Sequence, residues 1–254
     1  MSPRFEARGL SRKFGRVQAL DQADFDVEAG EVVALIGDNG AGKSTLVKAL
    51  TGNLDVDAGE VRFEGEPVHF ATPQDASRLG IEVVHQDLAL APHLDAAQNM
   101  FLGREVMRPG VLGHLGFMDT PQMRKRSAQA FTELGSAVRS VVTPVGSMSG
   151  GQKQTVAIAR AVAWADKVLF LDEPTAALGV IQTRNVLDTI RKVRDRGISV
   201  VLISHSMPHV LEVADRIQVL RLGRRVATYR AADTSIEELV GAMTGALDPK
   251  EGAA

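Results

Sequence analysis

Two stretches of this 254-residue chain have the composition to hold phosphate. The first, GDNGAGKST at Gly37 to Thr45, fits G-x-x-x-x-G-K-[ST] and lies between an apolar run and a helical pattern. Gly37, Gly40 and Gly42 let the backbone wrap closely around phosphate oxygens, with Asp38, Asn39, Ala41 and Thr45 in the same span. Lys43 brings a point charge to the outer phosphates, and Ser44 a hydroxyl for Mg²⁺. Spacing and context together separate this from a chance glycine-rich turn. The second stretch, GSMSGGQ at Gly146 to Gln152, reads as a capped helix start with two adjacent glycines. Unpaired amides and the positive end of a helix dipole favour an anion there as well. Why one chain carries two such cradles is the question its sequence raises.

Further along, KVLFLDEP supplies acids to go with the first cradle. Val168 to Leu171 read as a buried strand, and Asp172 emerges at its C-terminal end, the edge where open α/β sheets bind ligands. Asp172 can order Mg²⁺ through its waters, and Glu173 can take a proton from an attacking water. Gln86 and His205 each follow an apolar run, EVVH and VVLIS, and could reach the same edge. Taken singly, each is more often an ordinary polar residue entering a loop than a functional one. His69, His85, His93, His114 and His209 show no metal-ligand spacing and take no role.

The elements that must position these groups are legible as short β-rich runs alternating with helical patterns, which predict a mainly parallel sheet with helices on both faces. EVVALIG reads as a strand, Lys43 to about Leu50 as a helix, and Gly59 to Phe70 as a hairpin turning at EGEP. That hairpin can pair with FEARGL and ADFDVEAG in a small antiparallel sheet. IEVVHQD, Ile81 to Asp87, is the next strand. From Asp87 to about Val145 strands give way to helical patterns at DAAQNMFLG and PQMRKRSAQAFTELG, joined by a glycine-rich connection. We read an inserted helical subdomain at 87–164, carrying the second cradle, within an α/β core at 1–86 and 165–254. The α/β alternation then resumes, with a helix predicted from Gly151 at the end of the subdomain, whose lower face is Val156, Ala159 and Ala163, and another in the core near Ile181 to Arg196. Strand SVVLISH, hairpin RIQVLRLGRRVATY and a helix near Ser235 to Met243 follow, and the tail DPKEGAA is expected to fray. No internal repeat is visible, so the 254 residues form one nucleotide domain.

Composition bounds the partners. Basic and acidic residues, 29 and 31, are well mixed, and a net charge of −2 gives no footprint for nucleic acid. There is no cysteine, hence no thiol chemistry or thiolate metal site. MSPRFEARGL lacks an apolar leader, and the longest apolar runs are strand-sized. The expectation is a soluble chain that meets a membrane through a partner.

MSGGQ, Met148 to Gln152, ahead of LDEP resembles the signature of the ATP-binding-cassette ATPases, with Met148 where that family usually has Leu. The resemblance covers essentially the whole chain and implies a P-loop core with an antiparallel β subdomain and a helical subdomain. It also implies that two cassettes pack head to tail, the signature of one closing over ATP on the P-loop of the other. Two cradles would then serve two different ATP molecules. By the same resemblance Lys43 binds the β- and γ-phosphates, Thr45 lies on the α-phosphate side, and Ser44 and Gln86 are Mg²⁺ ligands supported by Asp172. Glu173 is the general base, His205 contacts the γ-phosphate, and Phe14 stacks on adenine, a contact worth roughly 1–3 kcal/mol by analogy with base–aromatic stacking. Core packing is the other fate open to Phe14. Ser149, Gly150, Gly151 and Gln152 form the cradle offered to the second copy.

VVHQDLALAPHLDAAQNMFLGRE resembles the subdomain entry of the ATPases of ribose-, xylose- and fructose-type sugar importers, and EPTAALGV and SHSMPHVLEVADRIQVLRLGRRV are similar to the short, single-cassette fructose-type members. That implies a cytoplasmic subunit, peripheral on the inner face of the cell membrane, working with permease subunits and indirectly with a sugar-binding protein. The NMFLGRE helix would meet the permease, although two of Met100, Phe101 and Leu102 are expected to be core. A cassette for branched amino acids or for export shares every catalytic motif. A cassette acting in DNA repair or translation usually carries coiled coils or a second cassette. One departure from the family stands out: Gly179 occupies the place, four residues past Thr175, where an Asp usually crosses the dimer interface. Looser coupling of the two ATP sites is expected, without loss of hydrolysis. Gly179→Asp should therefore raise the Hill coefficient of ATP hydrolysis, and an unchanged coefficient would contradict this reading.

Overall fold

The computed structural model describes residues 3–135, 138, 140–176 and 178–246, and the chain divides into two compact units. The expected fraying of DPKEGAA falls outside the described residues. Residues 1–83, 165–174 and 190–254 make up the first unit, and 84–164 with 175–189 the second.

The first unit holds two sheets. β1 (Phe5–Phe14) and β2 (Val17–Val27) pair antiparallel, and β4 (Ala58–Phe63) and β5 (Glu66–Val68) complete a four-stranded sheet in the order β2-β1-β4-β5. The EGEP turn works as expected: Glu64 and Gly65 both take positive φ, the geometry that suits a tight hairpin. In β1 the buried side chains run Phe5, Ala7, Leu10, because the register shifts between Ala7 and Leu10 and carries the apolar face over one extra residue.

The larger sheet has the order β10-β9-β3-β8-β7-β6. Its strands are β3 (Val32–Ile36), β6 (Ile81–Val84), β7 (Val168–Asp172), β8 (Ser199–Ile203), β9 (Arg216–Arg221) and β10 (Arg224–Arg230). β3, β7, β8 and β9 run parallel, and β10 turns back on β9 as the expected hairpin. VVALI and SVVLI are buried at every position, as a parallel strand covered on both faces requires. Phe5 joins the two sheets: its ring meets Phe63 at 6.0 Å and Phe170 at 6.1 Å, both edge-on. Helix α1 (Lys43–Leu50) follows β3 as read, and α9 (Ile236–Thr244) closes the described chain behind a Ser235–Glu238 capping box.

The second unit contains α3 (Ala96–Phe101), α4 (Val111–His114), α5 (Thr120–Glu133), α6 (Gly150–Trp164) and the first residues of α7 (Val180–Asp195). Asn99 is fully buried, yet its amide is satisfied: Nδ2 donates to the carbonyls of Ala91, Leu94 and Asp95, and Oδ1 accepts from Ala91 N–H. Trp164 packs edge-on against Phe101 at 5.6 Å and donates its indole N–H to the Met100 carbonyl at 3.0 Å.

Several expectations need correction. The strand read as Ile81 to Asp87 stops at Val84, so Gln86 lies in a bend two residues beyond it. Met100 and Phe101 are core and Leu102 is 49% exposed, as expected for that trio. On α6, Val156 and Ala159 are buried, whereas Ala163 is exposed to solvent. α2 (Pro73–Arg78) and α8 (Met207–Val213), of six and seven residues, are additional helices too short to show helical periodicity in the sequence. Capping signals were nonetheless present, with Thr72, Pro73 and Asp75 forming a capping box with proline at the helix start. The glycine-rich connection is itself folded, containing α4 and a bridge between Met107 and Met118.

A charged knot ties β2 to the β9–β10 hairpin. The Asp26 carboxylate pairs with both Arg216 and Arg225, and Gln218 donates to the Asp26 carbonyl at 2.6 Å. Burial pushes the Asp26 carboxyl up, but the two guanidinium groups together hold it below the usual carboxylate value. A carboxylate so depressed contributes stability above its unfolded value of about 3.9, lost as pH falls through the folded value. Asp26→Asn should lower stability near neutral pH by about 1–2 kcal/mol, a buried-pair cost discounted for partial exposure. The urea midpoint should drop at constant slope, and its gap to the parent should close below roughly pH 4. A gap independent of pH would contradict this.

Candidate functional site

Residues 37–42 form the loop from β3 into α1. Two glycines are dictated by close approach: a Cβ on Gly37 would lie 2.2 Å from the Leu220 carbonyl, and one on Gly42 would lie 2.5 Å from the Ala19 carbonyl. Both have φ in the left-handed range. The loop is braced from outside by Gly223 N–H, which donates to the Ala41 carbonyl at 2.9 Å. Its own turn closes with Ala41 N–H on the Asp38 carbonyl at 3.1 Å. Gly42 is the N-cap of α1 and no side chain caps that end, so the amides of Lys43, Ser44 and Thr45 face outward as a cradle for an anion. Lys43 Nζ folds back to donate to the carbonyls of Gly37 at 2.7 Å and Asp38 at 3.0 Å. Burial pulls the Lys43 ammonium below its ordinary value, and the carboxylates of Glu173, Asp172 and Asp38 act in the opposite sense.

Asp38 belongs to the loop itself, whereas Asp172 and Glu173 come from β7, which β8 separates from β3. β7 and β8 are in parallel register with Asp172 opposite Ile203. Glu173 leaves β7 with φ of 50°, and its N–H donates to the Ile203 carbonyl at 2.9 Å. Its Oε1 lies 2.8 Å from Nδ1 of His205, which follows β8. Glu173 is 14% exposed and His205 74%, so the carboxylate is sheltered while the imidazole is open to solvent. Lys43, Asp172, Glu173 and His205 are thus brought together in the first unit. Phe14 ends β1 with 47% of its surface exposed and the Arg12 guanidinium 5.1 Å from its ring centroid, so the ring is not core packing.

Gln86 and the second cradle belong to the second unit. Ser149 and Gln152 form a reciprocal box: Gln152 N–H donates to Ser149 Oγ at 3.3 Å, and Ser149 N–H to Gln152 Oε1 at 3.0 Å. Gly150 has open space where a side chain would be, whereas a Cβ on Gly151 would lie 2.9 Å from Cγ of Gln182. Sequence reasoning missed Gln182 because it is 31 positions downstream and carries no motif. Gly179 accepts the first-turn hydrogen bond of α7, from Thr183 N–H at 2.9 Å. A Cβ there would meet only the end of the Gln182 side chain, so aspartate can be accommodated by rotation of that residue.

The arrangement suits a nucleoside triphosphate and its cation. Among the described residues no three His, Cys, Asp or Glu side chains cluster as a metal site. A hydroxyl and one or two acids beside a phosphate cradle fit Mg²⁺, which keeps waters and takes its other ligands from phosphate.

A family model described as ABC transporter matches residues 20–176, more than half of the chain. The chain belongs to the ABC transporter family. This cassette is 50% identical over 97% of its length to the fructose import ATP-binding protein FrcA of Rhizobium meliloti, covering 96% of that protein. It is 42% identical to the xylose/arabinose import ATP-binding protein XylG of Sulfolobus acidocaldarius, over 96% of this chain and 95% of that one. Its fold is also that of the ATP-binding cassette MJ0796, solved as a dimer in a post-hydrolysis state with ADP and Pi, at a TM-score of 0.76 and 24% identity over 89% of this chain and 98% of that one. The family resemblance and the fold class read from the sequence are borne out, and the cassette is an ATP-binding, ATP-hydrolysing protein. No helix among the described residues is long and apolar enough to cross a membrane. Replacing Lys43 by Ala removes the charge at the cradle's mouth, and calorimetry on the variant should detect no ATP binding; parental affinity would contradict the assignment.

Proposed function

We propose that this chain is the ATPase subunit of an importer for a monosaccharide of the fructose, ribose or xylose type. It would work on the inner face of the cell membrane with a separate permease and, indirectly, a sugar-binding protein. The observation that carries the reading is identity of 50% running along 97% of the chain to a fructose import ATP-binding protein. Cassettes for other cargo share the P-loop and the acids, so full-length similarity, including the helical unit, is what favours sugar.

In the mechanism we infer, two copies stack head to tail, and each ATP lies between the P-loop of one and the Ser149–Gln152 cradle of the other. Phe14 stacks on adenine by its exposed ring. The loop 37–42 and the first amides of α1 take the phosphates, and Lys43 leaves its backbone carbonyls for the β- and γ-oxygens. Ser44 and Gln86, with Asp172 acting through waters, would hold Mg²⁺, which offsets phosphate charge. Glu173 accepts the proton of the attacking water, while His205 turns from the carboxylate toward the γ-phosphate. Ser149 and the amides near Gly150 and Gly151 complete the cradle from the other copy. Closure of the dimer switches the permease, and phosphate release reopens it.

Reconstitution with a permease and binding protein, followed by uptake of a panel of sugars, tests the cargo. Uptake of one monosaccharide is expected; uptake of amino acids alone would refute the reading. Glu173→Gln removes the proton acceptor but keeps the shape, so ATP with Mg²⁺ should trap a dimer. Size-exclusion chromatography showing only monomer under those conditions would count against it.

A further inference from the structure

Residues 106–119 of the second unit form a closed hairpin. Arg108 N–H donates to the Phe117 carbonyl at 2.9 Å, and Asp119 N–H to the Val106 carbonyl at 2.6 Å, on either side of the Met107–Met118 bridge. Helix α4 sits at the tip, where Gly113 lies so close to the Arg108 carbonyl that a Cβ would be 2.0 Å from it. The tip therefore has a fixed shape, yet its apolar side chains face water. Val111 is 73% exposed and Leu115 68%, and Met107, Leu112, Phe117 and Met118 are each about half exposed. Single exposed apolar residues are ordinary, but six among the twelve positions 107–118 form a patch of the kind that marks an interaction surface.

Cations stand beside this patch. An open groove of about 790 Å³ shares Met107 with it and is also lined by Pro109, Lys125 and Arg126, with Asp119 as its single carboxylate. Arg108 is exposed on the hairpin itself. Apolar side chains next to Lys and Arg suit the boundary of an anionic bilayer, where the former enter the acyl region and the latter stay with phosphate headgroups. The same charges disfavour a second copy as the occupant, because the patch would then bring like charges face to face.

We propose that this hairpin contacts lipid directly, its apolar tip entering an anionic membrane surface while Arg108, Lys125 and Arg126 hold headgroup phosphates. The contact needs no permease, so its test is separate from that of sugar import. The full chain is sedimented with phosphatidylcholine vesicles with or without phosphatidylglycerol. Binding should rise at least about fivefold with the anionic lipid. Two variants, L112S/L115S/F117S and K125E/R126E, should each lose at least about fivefold of it while hydrolysing ATP at the parental rate without lipid. Equal pelleting with both vesicle types, or unchanged pelleting of either variant, overturns the proposal. It is also overturned if the parent self-associates without lipid and L112S/L115S/F117S abolishes that, which assigns the patch to a second copy. Vesicle binding seen only when permease is reconstituted would assign the patch to protein and overturn it equally.

Discussion

The parallel register that sets Asp172 opposite Ile203 is the constraint on which the chemistry rests. β7 is buried through Leu171 and β8 throughout, so neither strand can shift without exposing apolar surface. Given that register, Asp172 ends the strand, and Glu173 must turn at once to keep its N–H on the Ile203 carbonyl. The turn requires a left-handed backbone at a residue with a side chain, at a cost of about 1 kcal/mol or more. What holds Glu173 there is on both sides of it: the backbone bond to β8 and the carboxylate's contact with His205. The same sheet carries β3 into the glycine loop, so Lys43, Asp172 and Glu173 share one field, as the opposing influences on the Lys43 ammonium show.

Much of this could be read from the sequence because the signals were local. An apolar run four residues long ending in an acid pair states where a buried strand stops, and G-x-x-x-x-G-K-S states where a loop enters a helix. What was not legible depended on distance or on short length. Gln182 against Gly151 joins residues with no shared motif, and the 2.8 Å contact of Glu173 with His205 needs the strand order, which no spacing encodes. Helix α8 has seven residues, below the length at which periodicity speaks, and the fold within residues 103–120 was hidden by glycines that look like linker. Ala163 was misplaced because small residues fit either face of a helix.

The two cradles differ in how they are built, and the difference bears on their use. The first is uncapped: its N-cap is glycine, and no side chain caps its first amides. The second is already capped by the Ser149–Gln152 box, which fixes the helix end while leaving Gly150 bare. A preformed tip with one open glycine is suited to close over a phosphate held elsewhere. Gln182 backs it from behind, so the tip and the start of α7, where Gly179 replaces the expected aspartate, are mechanically linked within the second unit.

That ATP lies between copies is the central claim, and complementation tests it most directly. Lys43→Ala disables a P-loop and leaves its signature intact; Ser149→Arg does the reverse. Mixing the two inactive proteins creates mixed dimers in which one site has an intact P-loop and an intact signature. Composite sites predict ATP hydrolysis well above that of either protein alone. A mixture as inactive as its components would show that each cassette uses its own two cradles, and would contradict the claim.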